Sequence, residues 1–110
     1  MPFFEDLFYE LRDKIIGLAK SEVKEYGEGA VEDGKALLEK SKENLKEWTL
    51  ALTDGKIDKE FFGWLIASQL KVIEMKVLTQ TGIAQIKIEK FKDTLKHLIV
   101  DTILSRVLKV

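Results

Sequence analysis

His97 is the only imidazole in the chain, and Asp93 and Asp101 stand four residues to either side of it. On a helix that spacing sets all three on one face. A neighbouring carboxylate could there raise the histidine pKa for proton relay, or the three could form a weak metal site. A structural zinc site wants four good ligands, and a chain with one histidine and no cysteine offers only one. The plainer reading is a histidine on a wet helical face among helix-compatible charges, with no metal implied.

Other chemistry fails on its ligands. Asp54-Gly55-Lys56-Ile57-Asp58 superficially matches the centre of an EF-hand calcium loop. With Gly55 in the sixth place, however, Leu50 and Leu52 occupy the first and third, and Phe61 the twelfth, where carboxylates are needed. Gly27-Glu28-Gly29 makes no phosphate cradle: no strand precedes it, Gly34 falls at the wrong spacing, and Glu28, Glu32 and Asp33 would repel phosphate. Glu39, Glu43 and Glu47 form an i, i+4 ladder interspersed with Lys40, Lys42 and Lys46, the pattern of a solvated helix face. Ser21, Ser41, Ser68 and Ser105 have no base arranged near them, so nucleophilic catalysis lacks material. A non-catalytic protein without a cofactor is expected.

The elements that would position these residues follow from composition and period. At 110 residues the chain has room for one domain. It is 45% hydrophobic and 34% charged, too apolar for disorder. One proline and seven glycines are too few turn residues for a many-stranded sandwich or barrel. The start, Met-Pro-Phe-Phe-Glu-Asp-Leu, has neither the basic region nor the long apolar stretch of a signal peptide, and no run is long enough to span a bilayer. A cytoplasmic chain is the default expectation. Residues 1–55 carry 8 Lys/Arg against 13 Asp/Glu, a net of -5, and residues 56–110 carry 10 against 6, a net of +4. Halves of opposite sign suggest that they face each other. The balanced total of -1 argues against a nucleic-acid partner, which calls for a basic excess.

Apolar residues recur every eleven positions. Phe4, Ile15, Tyr26, Leu37 and Trp48 form one series; Phe8, Ala19, Ala30 and Leu52 form a second, broken only by Ser41. Ile66, Val77, Ile88, Ile99 and Val110 continue the pattern, beside Phe62, Ile73, Ala84 and Leu95. Eleven residues make three helical turns, so such a hendecad stripe stays nearly straight. Gly55 suits the left-handed position ending a helix, Asp58 the N-cap of the next, and Ile57 with Phe62 a hydrophobic staple. The expected architecture is all-α: a long antiparallel, coiled-coil-like hairpin with helix 1 over 2–53, a turn at 54–57 and helix 2 over 58–109. Facing residues should then sum to about 111, with Gly29 against Gly82 and Trp48 against Gly63. Two alternatives stay open. Gly27, Gly29 and Gly34 could break helix 1 near Tyr26–Ala30 to give three helices, and residues 72–88 alternate well enough to form a β-hairpin around Gln80-Thr81-Gly82.

The second half carries more apolar residues than one seam can bury: Leu65, Val72, Met75, Ile83, Ile86, Leu98, Ile103 and Val107 lie off it. A helix apolar on two sides needs a second partner. Self-association into a helical bundle, most simply a two-fold dimer, is the leading expectation; another helical protein, or a third helix within the chain, would also supply cover. The expected role is therefore assembly or protein–protein interaction. The alternative is a lipid-surface protein, with Phe3, Phe4, Phe8 and Tyr9 as a membrane foot.

Overall fold

Pro2 opens the first helix, where its fixed φ is pre-set for helix and its missing N–H leaves no bond unmade. In the computed structural model, which describes residues 2–108, five helices follow in order: α1 (Pro2–Glu22), α2 (Gly27–Thr53), α3 (Lys59–Lys71), α4 (Lys76–Gln80) and α5 (Gln85–Leu108). A single 3-10 turn, Lys24–Tyr26, joins α1 to α2. Among the described residues 87% are helical and none is in a strand. The fold is all-α, as the period implied, and residues 72–88 form no hairpin of strands.

The two long helices do not run unbroken. Helix 1 is interrupted at Val23–Tyr26, just ahead of the glycines, where Val23 adopts φ -116° and ψ 62°. Helix 2 is interrupted over residues 72–75 and again over 81–84. A rod of two fifty-residue helices would leave the second stripe of the later half in water; doubling the rod back covers it from within the chain. The product is an up-down-up-down bundle with extents of 43 × 23 × 23 Å. Its long axis matches α2, whose 27 residues span about 40 Å at 1.5 Å each.

Around the bundle α1 packs on α2 and α5, and α3 packs on the same two helices from the opposite corner. Phe4, Leu7, Leu11, Ile15, Leu37, Leu38, Leu45, Phe62, Ile66, Phe91, Leu95 and Ile99 are fully buried between them. Ser41, the exception in the eleven-residue series, is buried too, so the series continues through it geometrically. Val110, the last member, lies outside the described residues.

The pairing rule holds between α2 and the α3–α4 segment. Asn44 Nδ2 donates to Gln69 Oε1 at 3.1 Å, and Asp33 meets Val77 and Leu78. Gly29 lies against Val77, Leu78 and Thr81 instead of Gly82. A Cβ added at Gly63 would meet nothing, so Trp48 finds no small-residue socket there. Between α1 and α5 the pairs sum to 116, as in Glu10 with Arg106. The second half has two non-helical stretches where the first has one, which displaces α5 along α1.

The central turn forms as its residues dictate. Lys56 N donates to Ala51 O at 2.8 Å and Gly55 N to Leu52 O at 3.2 Å, the paired bonds of a Schellman motif, with Gly55 at φ +74°. Asp58 Oδ1 accepts from Phe61 N at 2.8 Å, capping α3. Gly55→Val should destabilise by more than about 1 kcal/mol, because a β-branched residue resists positive φ. Asp58→Ala should cost about 0.5–2 kcal/mol through the lost cap. Urea denaturation checks both.

Candidate functional site

The residues singled out for chemistry are not brought together: Ser41 and Asp33 are buried on α2, and His97 and the glutamate ladder lie on the surface. His97 is exposed, its Nδ1 2.9 Å from the Asp93 carbonyl oxygen and 3.6 Å from the Asp93 carboxylate. Among the described residues no group of three or more His, Asp or Glu side chains is placed to hold a metal ion. Glu39, Glu43 and Glu47 face water along α2. Of the charged groups, Glu10 is the most engaged. Its carboxylate pairs with Arg106 on α5 and, at 3.1 Å, with Lys14, and it is the one ion-pair link between the two halves among the described residues. The Lys14 hydrogen bond holds the Glu10 pKa below the usual carboxylate range, against desolvation, with the charges of Lys14 and Arg106 and the Arg106 hydrogen bond adding to it. A depressed folded-state pKa means that this link supports the fold above the unfolded pKa and is lost as pH falls through the folded one.

The membrane foot is not a foot. Phe4 and Phe8 are buried with ring centroids 6.1 Å apart, Phe3 is half-buried against the core, and of the four only Tyr9 is exposed. The Lys42 ammonium lies 4.8 Å above the Phe8 ring and 3.9 Å from Glu5. These aromatics join α1 to α2.

The eight-residue stripe of the second half is likewise divided. Met75 and Ile103 are in the core. Ile83, Leu98 and Val107 are half-buried against it, and Leu65 is half-buried on α3. Only Val72 and Ile86 stand in water, at 78% and 79% exposure. The stripe is therefore no continuous surface, because α1 and α2 fold back to cover most of it.

The exposed aromatic pair lies on α3. Residues 61–70 carry no charge, yet the helix turns only Phe62, Ile66 and Leu70 inward. On its outer side Phe61 and Trp64 are 48% and 61% exposed, and their rings stack at 5.7 Å with an 18° tilt. Leu65, Ser68 and Val72 continue the same side at spacings of three and four. Sequence reasoning missed Phe61 and Trp64. The signal was there in the adjacent pairs Phe61-Phe62 and Trp64-Leu65, since neighbours on a helix cannot face the same core. Ile86 starts α5 at the opposite end of that helix from Leu108, which is also partly exposed.

An open cleft of about 580 Å³ between α3, α4 and α5 is lined by Lys71, Lys76 and Lys92 together with Glu74 and Glu89, a mixed lining with one cation in excess. Lys92 is already engaged, donating to Ile73 O at 2.8 Å across the end of α3. Among the described residues no helix is long and apolar enough to cross a membrane. Comparison of the chain with protein-family models, with curated proteins and with solved structures finds no match.

Proposed function

We propose that this is a non-catalytic assembly protein of the cytoplasm that works through protein–protein contact and self-associates by the outer face of α3. The observation that carries the reading is the stacked, exposed pair Phe61 and Trp64 on a helix without charge over residues 61–70. Aromatic rings are the side chains most enriched at the cores of interfaces, where charge is depleted. The large apolar residues exposed elsewhere among the described ones, Tyr9, Leu50, Ile86 and Leu108, stand on other helices and stack on no second aromatic ring. The α3 face is a narrower surface than the eight-residue stripe, of which it keeps Leu65 and Val72.

Sedimentation velocity across micromolar concentrations tests the reading. The unaltered protein is expected to sediment as more than one copy, and Trp64→Glu as a single 12.6 kDa chain of unchanged helicity. A 12.6 kDa species throughout for the unaltered protein would end the self-association reading. The same aromatic pair would suit a membrane–water interface, and this is the second reading. Lipid-surface helices favour Lys and Arg on their polar sides, and α3 is flanked by Lys59 and Lys71 with one acidic residue, Glu60. Co-sedimentation with anionic vesicles separates the two.

A further inference from the structure

We infer that α3 packs antiparallel against α3 of a second copy of this chain, in a register set by Glu60 and Lys71. This rests on the proposed self-association and names its geometry. Glu60 and Lys71 are eleven residues apart, three helical turns, so both lie on one flank of α3, beside Trp64. Both are exposed, and neither has an ion-pair partner among the described residues. A two-fold axis normal to two antiparallel helices keeps each residue on its flank and reverses its height. Glu60 of one copy therefore meets the partner's Lys71, and the axis makes the contact twice.

The apolar residues fit the same register. The exposed line Phe61, Trp64, Ser68 and Val72 steps by three and four, the spacing of a coiled-coil seam. With Glu60 opposite the partner's Lys71, facing positions sum to 131, which brings Trp64 within one residue of the level of the partner's Ser68 and Phe61 within two of the partner's Val72. A large ring against a small side chain fills the space without strain. Stacking on Phe61 already fixes the Trp64 ring, so little side-chain freedom remains to be lost on docking. A parallel pairing, with its axis along the helices, would put each residue on the opposite flank from its copy and bring neither Glu60 nor Lys71 to an opposite charge on its own flank.

The area is of the right order. Aromatic side chains bury about 150–250 Å² each. At 48% and 61% exposure Phe61 and Trp64, with Val72 at 78% and part of Leu65, present on the order of 400 Å². That is about half of the ~800 Å² per partner in a standard interface. Ser68 and the charged flank of α3, with the neighbouring edge of α2, form the rim.

Charge reversal tests the register. Glu60→Lys and Lys71→Glu each turn both contacts repulsive, and each should weaken self-association at least about tenfold in sedimentation equilibrium. The double variant Glu60→Lys/Lys71→Glu should regain it, and so should an equimolar mixture of the two single variants. All three should keep the far-UV spectrum of the unaltered protein, since both side chains are exposed. If Trp64→Glu dissociates the assembly while the single reversals leave it intact, the register is wrong and the self-association reading stands. If the unaltered protein is a single chain that pellets with anionic vesicles, both fall and the aromatic face belongs to a lipid surface.

Discussion

Gly34→Leu is expected to destabilise the bundle by on the order of 4 kcal/mol, a large part of the 5–15 kcal/mol that holds a typical domain together. A Cβ at Gly34 would stand 2.7 Å from the Ile15 Cγ2 methyl, with the Phe91 ring at 3.9 Å behind it. Ile15 is fully buried, and its β-branch leaves the methyl no free rotamer to take. The helices themselves must part. Alanine adds one carbon and gains about 1 kcal/mol in helix propensity, so Gly34→Ala should lose less, about 1–2 kcal/mol. Ile15→Leu removes the offending methyl. In a double-mutant cycle monitored by urea denaturation, Gly34→Ala should therefore cost less on the Ile15→Leu background than on the native one. Additive losses would mean that α1 and α2 do not meet at this point.

Asp33→Ala should cost about 3–5 kcal/mol, because it strands two amides at once. The Asp33 carboxylate, buried on α2, accepts from Leu78 N at 2.7 Å and Val77 N at 3.0 Å, and so caps α4 from 44 residues away. Hydrogen bonds to a charged acceptor contribute about 1.5–3 kcal/mol each, and a buried donor left without an acceptor adds its own penalty. Met75, at the N-cap position of α4, has no side chain that can substitute. Asp33→Asn retains one acceptor oxygen and should lose roughly half as much. Thermal denaturation of the two variants side by side makes the comparison, and an Asp33→Ala loss below about 1 kcal/mol would be incompatible with the cap.

Asp33 and Gly34 also show what the sequence can and cannot carry. The eleven-residue period reports which side of each turn is apolar, and Phe4, Ile15, Leu37, Phe62, Ile66, Leu95 and Ile99 are all in the core it implied. The same period is blind to a four-residue turn, since Tyr26 keeps phase while lying in the break. The hairpin thus folded once more than its stripe could reveal. The end signals were legible because they are local: Gly55 and Asp58 act on amides within five residues. Asp33 resembles any acidic residue of a wet face until the fold brings α4 beneath it. The surplus of apolar residues in the second half was legible as a quantity, but its distribution was not. Met75 and Ile103 are covered by the chain's own first half, while Phe61 and Trp64 are left outside.

The cap from Asp33 bears on the order in which the molecule takes shape. A five-residue helix cannot nucleate by itself in water. Its first amides close only onto a side chain that α2 must already hold in place, so α4 comes late in any folding sequence. It is also free to come apart early. Residues 72–84, which contain Gly82 at φ +81° and whose short helix is capped from α2 by one carboxylate, form the natural unit of local opening in an otherwise continuous bundle. The amide protons of Val77 and Leu78 should then exchange with solvent at the free energy of that opening, and those of α1 and α2 at the free energy of the whole fold. Val72, the C-cap of α3, marks the boundary between the two.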